Sequence, residues 1–182
     1  MKIYLLRHEK RFNSRFFDTD LTHEGKEDAK KLVTKLEELN LDHIFISPYK
    51  RVIQTIEPYL KKSNLMVNPD YGIYESLHLD ETDINIREID DKLYGYQYMN
   101  TNYIPSVSKN SLKIGESYSD IKKRCQVFLK NLLDNKKLVG KNILIVCHLS
   151  VINAILNRDE DNDFDMGKVV LFYNNGYLSS DV

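Results

Sequence analysis

The sequence predicts an α/β fold, a three-layer α/β/α sandwich whose mostly parallel central sheet is covered by helices on both faces. Two observations predict it. Short runs of strand formers alternate along the chain with stretches whose apolar residues recur at helical spacing, the pattern that folds into strand-helix-strand units. The most strand-like runs, Lys2 to Leu6 and Asn142 to Cys147, are apolar without polar alternation, as a strand covered on both faces has to be.

Lys2 to Leu6 reads as a first, central strand. A polar loop with Arg11, Asn13, Ser14 and Arg15 follows, and Thr22 then stands where a hydroxyl can cap a helix with apolar positions at Ala29, Leu32, Val33, Leu36 and Leu39. His43 to Ile46 is a short strand. Ser47 suits the N-cap and Pro48 the first turn of a second helix, which carries Val52, Ile53, Ile56, Tyr59 and Leu60 inward. Leu65 to Val67 is a further strand candidate. From about residue 70 to 115 the periodicity is poor, and so long an irregular insertion is expected to hold function, as a substrate lid, or disorder rather than core. Ser117 to Leu133 reads as a helix on its stripe of Ile121, Cys125, Phe128, Leu129, Leu132 and Leu133. Asn142 to Cys147 is a strand that hands over at His148 to a helix from Leu149 to Leu156. Val169 to Tyr173, the turn Asn174-Asn175-Gly176 and a second short run form a hairpin signal.

At 182 residues the chain is expected to be one domain, residues 1–182. Hydrophobic residues at 42% and charged residues at 29% are the balance of a globular protein and argue against a disordered, fibrous or membrane chain. The 26 basic and 27 acidic side chains nearly cancel, so no broad field attracts nucleic acid or an anionic membrane, and any anion site must be local. Cys125 and Cys147 sit in apolar runs and read as buried, reduced thiols. The apolar stretch before Arg7 is too short for a leader or a span, which leads to the expectation of a cytoplasmic protein without a membrane partner. The scattered His, Asp and Glu lack a metal-ligand spacing such as His-Glu-x-x-His, so neither a metal nor another cofactor is expected.

Ligands of such sheets gather beyond the carboxyl ends of strands, and two positions obey that rule together: Arg7-His8 and His148. A neutral imidazole is a capable nucleophile toward phosphorus, and neighbouring guanidinium groups can neutralise phosphoryl oxygens. A histidine after a strand, taken singly, is more often a hydrogen-bonded structural residue. It is the conjunction with further segments that points to chemistry. His23 and His43, at a helix start and a strand start, read as surface or capping residues, and His78 stays open. Tyr94, Tyr96, Tyr98 and Tyr103 suit either a substrate lid or packing.

Five segments in order carry a family resemblance. Leu5-Leu6-Arg7-His8-Glu9 resembles the signature of the histidine phosphatase superfamily, the group that includes phosphoglycerate mutases. Leu21-Thr22-His23-Glu24-Gly25, Ser47-Pro48-Tyr49-Lys50-Arg51-Val52-Ile53-Gln54-Thr55, Gly115-Glu116-Ser117 with Arg124, and Val146-Cys147-His148 are similar to its later motifs. The resemblance implies a phosphoglycerate mutase-like fold and, from the chain length, the phosphatase branch acting on a small phosphorylated substrate. It implies that His8 is phosphorylated during turnover, that Arg7 and Arg51 bind the phosphoryl oxygens, and that His148 donates a further hydrogen bond. Two glutamates compete for the general acid: Glu75, preferred for its interval from Arg51, and Glu88, whose neighbours match a family variant. Where many members have Gly after the Arg-His pair and Asn further on, this chain has Glu9 and, near the second place, Asn13 and Ser14, which read as surface loop residues or as substitute phosphate contacts. A mutase with the same cage, or a weak phospho-binding module with Glu9 beside its anion site, are the alternatives.

Overall fold

The structure, a computed structural model, describes residues 1–13, 19–76, 94–172 and the short strand 178–179. Its centre is a six-stranded sheet in which β1 (Lys2–Arg7), β2 (His43–Ile46), β3 (Val67–Pro69), β4 (Asn142–Cys147), β5 (Val169–Phe172) and β6 (Leu178–Ser179) take the order β3-β2-β4-β1-β5-β6. The strands from β3 to β1 run parallel, while β5 and β6 are antiparallel to their neighbours. Helices α1 (His23–Glu38) and α2 (Lys50–Ser63) cover one face, and α3 (Tyr118–Asp134) and α4 (Leu149–Ile155) the other.

The pleat explains both cores. Alternate residues of the central strands point to opposite faces. Tyr4, Leu6, Leu144 and Val146 therefore meet Leu36, Val52 and Ile56 on the α1/α2 side. Ile3, Leu5, Ile143 and Ile145 meet Ile121, Phe128 and Ile152 on the α3/α4 side. The unbroken apolar runs in the sequence are thus two stripes interleaved.

Local chemistry sets several boundaries. The Thr22 side chain accepts from the Gly25 amide and caps α1, and Ser117 with Asp120 closes a capping box on α3. The second helix departs from the sequence expectation. It starts at Lys50, Tyr49 occupies the cap position without a side-chain capping hydrogen bond, and Ser47-Pro48 stays outside. The third strand begins two residues later than its apolar run suggests, at Val67, because there it pairs with Ile44 to Ile46 of β2.

The irregular region also differs from expectation where it is described. Tyr71, Ile73, Tyr74, Met99, Val107 and Leu112 are buried in the two cores, so this stretch contributes core as well as loop. Without helical or strand periodicity, its apolar residues gave no sign of burial. Tyr94 donates to Glu57 and Tyr103 to Asp70, and Tyr96 is exposed. His78, Glu88 and the predicted hairpin turn lie outside the described residues, although β5 and β6 pair as a hairpin's strands do. Among the described residues, no helix is long and apolar enough to cross a membrane.

Candidate active site

Strand register builds the site. Arg7 pairs with Cys147 across β1 and β4, and the His8 amide donates to the Cys147 carbonyl at 3.1 Å. The two histidines that follow these strands are therefore neighbours, with ring centroids 5.2 Å apart at an interplanar angle of 62°. On the other side of β4, Ile46 pairs with Val146 and the Ser47 amide donates to the Val146 carbonyl, which brings the end of β2 to the same place. Arg51 comes from the first turn of α2 and is only 2% exposed. Glu75 follows a single 3-10 turn, Tyr71–Ile73, beyond β3.

The guanidinium of Arg51 is the hub. Its Nε lies 3.3 Å from His8 Nε2, and its Nη2 lies 3.3 Å from His148 Nδ1 and 3.6 Å from Glu75 Oε2. The Tyr49 ring supports the group from below, 4.1 Å from the guanidinium carbon. Glu75 is held in turn by Ser150, whose hydroxyl donates to Oε1 at 2.6 Å, and its Oε2 is 3.3 Å from His148 Nδ1. Arg7 donates from Nη1 to the Phe164 carbonyl at 2.7 Å. Its Nε is buried with no hydrogen-bond partner among the described residues. A buried N–H of a cation left unpaired is costly.

The two rings are set differently. A carbonyl can only accept, so the 2.7 Å contact between His8 Nδ1 and the Glu9 carbonyl places the proton on Nδ1 and leaves the lone pair on Nε2, toward the cage. Burial, and next to it the Arg51 charge, push the His8 pKa down to about 3, so the ring is neutral throughout the physiological range. The same two causes, in the same order, hold His148 well below its ordinary value. A neutral imidazole with an inward lone pair, beside fixed cations, has the chemistry to act as a nucleophile.

His8, Glu75 and His148 bring their donor atoms within 4.8 Å of one another, a set with metal-ligand chemistry that sequence spacing did not reveal. Arg51 already reaches all three. A fixed cation at that point repels a second one and attracts an anion.

Of the residues singled out from the sequence, Arg7, His8, Arg51, Glu75 and His148 come together. Asn13 is exposed, and Ser14 lies outside the described residues, as does Glu88. The Glu9 carboxylate lies against the backbone of Gly167, and Asp28 of α1 is the charge acting on it most. Sequence reasoning missed supporting residues inside a motif it had quoted. The Thr55 hydroxyl accepts from the Glu9 amide at 2.9 Å and donates to the Arg51 carbonyl at 2.8 Å, tying β1 to α2 behind the site. Arg124 donates to the Gly72 carbonyl and forms a buried ion pair with Glu116, so the Gly-Glu-Ser segment braces the turn that carries Glu75.

The fold is α/β, and its site sets an unprotonated imidazole nitrogen among fixed cations, an arrangement that can hold an oxyanion. The model of the histidine phosphatase superfamily (branch 1) matches residues 3–176, and the chain belongs to that superfamily. A probable phosphatase of Schizosaccharomyces pombe is 27% identical over 162 residues, 85% of this chain and 71% of that protein. Phosphoserine phosphatase 1 of Hydrogenobacter thermophilus is 27% identical over 161 residues, 85% of this chain and 74% of its own length. Among solved structures, the ecdysone phosphate phosphatase of Bombix mori superposes with a TM-score of 0.70 at 15% identity, covering 98% of this chain and 92% of that one.

Proposed function

We propose that this chain hydrolyses a small phosphate monoester through a phosphohistidine formed on His8, without a metal. The observation that carries the reading is the His8 ring, whose Nδ1 is tied to the Glu9 carbonyl while Nε2 faces Arg51. The names of the two curated relatives, both phosphatases, support it.

In this reading the phosphoryl oxygens settle between the guanidinium groups of Arg7 and Arg51. His8 Nε2 attacks phosphorus in line, the bond to the ester oxygen breaks, and the Glu75 carboxyl gives that oxygen its proton. Water then attacks the phosphohistidine, Glu75 takes the proton back, and inorganic phosphate leaves. Holding these groups in place before reaction is the main contribution of the fold.

Rapid acid-free quenching with a labelled monoester, followed by mass spectrometry, is expected to place one phosphate on His8 Nε2. Turnover by a His8→Ala variant at the wild-type rate would refute the mechanism. Inorganic phosphate released in large excess over phosphate returned to a phosphoglycerate acceptor distinguishes hydrolysis from a mutase.

The acid assignment has its own test. An aryl phosphate has a leaving group that needs little protonation, whereas an alkyl phosphate needs it fully. Glu75→Gln is therefore expected to slow alkyl phosphates by about 10²- to 10⁴-fold and 4-nitrophenyl phosphate far less. Equal losses on both substrates would remove Glu75 from that role.

A further inference from the structure

Ser47 precedes a proline at the end of β2, a place where a serine ordinarily caps a helix. Here it does not, since α2 starts at Lys50 with Tyr49 at the cap. The hydroxyl goes elsewhere. Ser47 Oγ lies 2.8 Å from His148 Nε2, and both residues have no exposed surface.

A neutral imidazole carries one proton on two nitrogens, and the partner of one nitrogen decides the state of the other. His148 is neutral because burial and Arg51 both disfavour its charged form. Its cage-facing nitrogen is Nδ1, which stands 3.3 Å from Arg51 Nη2, a donor, and 3.3 Å from Glu75 Oε2, an acceptor. These two neighbours pull the tautomer in opposite directions. The outcome is decided behind the ring. Among the described residues, His148 Nε2 is the acceptor within reach of the Ser47 hydroxyl, and a buried O–H left undonated is costly. A hydroxyl that donates here leaves the lone pair on Nε2 and the proton on Nδ1.

We propose that Ser47 is a positioning residue that locks His148 in its Nδ1–H tautomer, so that this ring enters the cage as a hydrogen-bond donor to the phosphoryl group. His8 is held in the same tautomer by the Glu9 carbonyl but turned the other way round, presenting its lone pair. One tautomer in two orientations gives two neighbouring rings opposite tasks. The phosphoryl part of this proposal rests on the function proposed above; the tautomer itself does not.

Without the hydroxyl, Nε2 loses its donor. The ring can then carry its proton on Nε2 and accept from Arg51 through Nδ1, which removes one oxyanion donor and engages the guanidinium that should face the phosphate.

Nitrogen-15 NMR of histidine-labelled protein, with His148 assigned from the spectrum of a His148→Gln variant, reads the tautomer directly. The expected result is a protonated Nδ1 and a bare Nε2 in wild type, with and without inorganic phosphate. The opposite tautomer in wild type would overturn the proposal, whether or not Ser47 variants fold. Ser47→Ala is expected to shift the tautomer toward Nε2–H and to lower kcat on the order of 10²-fold, the effect of losing one preorganised donor. Ser47→Thr, which keeps the hydroxyl, should restore both. A Ser47→Ala protein that retains the wild-type tautomer would also sink the idea. If no phosphate is trapped on His8 yet the Nδ1–H tautomer is found, the catalytic reading fails while the role of Ser47 in setting the ring stands.

Discussion

Replacing Arg51 by alanine is expected to lower kcat/KM by at least about a thousandfold, because one planar cation serves three partners and, in the proposed mechanism, the incoming phosphate as well. The guanidinium reaches His8, His148 and Glu75 within 3.6 Å and is stacked on Tyr49. Lysine cannot substitute, since an ammonium on a flexible stem lacks the fork that spans these atoms. Arg51→Lys should recover only a small part of the loss. The pH profile carries a second signature. After burial, the Arg51 charge is the main influence that holds the His8 pKa down at about 3. Its removal raises that pKa part of the way toward the ordinary histidine value of about 6.5, since burial, the larger cause, stays, so residual activity of Arg51→Ala should fall in acid solution at a higher pH than wild-type activity does. In wild type His8 is neutral down to about pH 3, and no limb from it should appear above that pH. Steady-state rates measured across pH on both proteins test this, and an Arg51→Ala enzyme within tenfold of wild type would contradict the cage.

The second large effect concerns stability and comes from Glu9, the residue that departs from the family pattern. Glu9 is 6% exposed, and its pKa is raised to about 7, first by burial and then by Asp28. Its carboxylate lies against Gly167, whose amide donates to the Arg7 carbonyl. In the unfolded chain the group ionises near its ordinary value, so between about pH 4.5 and pH 7 the folded state binds more protons than the unfolded one. A raised carboxyl pKa therefore costs stability as pH rises, up to about 3 kcal/mol above neutrality. Glu9→Gln keeps the shape and removes the charge. It should raise Tm by roughly 5–10 °C at about pH 8 and leave it nearly unchanged at about pH 4.5. Scanning calorimetry at the two pH values decides, and an equal shift at both would rule out the ionisation of Glu9 as the cause. The same placement answers the concern that Glu9 sits as a negative charge in the anion site: its carboxyl is turned to Gly167 and α1.

Much of this architecture was legible because it depends on local chemistry. Thr22 caps the helix its hydroxyl predicted, and His43 to Ile46 and Asn142 to Cys147 are strands over the residues read as such. Capping and strand propensity act within a few residues, so sequence neighbours suffice to see them. Ser47 failed the same reasoning. Its local signal is a cap, but a buried imidazole across the sheet competes for the hydroxyl and wins. The buried tyrosines and apolar residues of the irregular segment failed it too, because their burial comes from the turns that deliver them to the core.

The sequence by itself determined the chemical inventory: two histidines after central strands, two arginines, and a glutamate beyond the second helix. Only the tertiary structure decided what each atom does. Parallel register sets His8 beside His148, and the Glu9 carbonyl and the Ser47 hydroxyl choose which nitrogen of each ring is bare. Burial among fixed charges then moves the His8 pKa below its ordinary value and the Glu9 pKa above it. The physical reason is range. Propensities are properties of neighbouring residues, whereas a proton's position depends on dielectric and on partners brought from elsewhere in the chain.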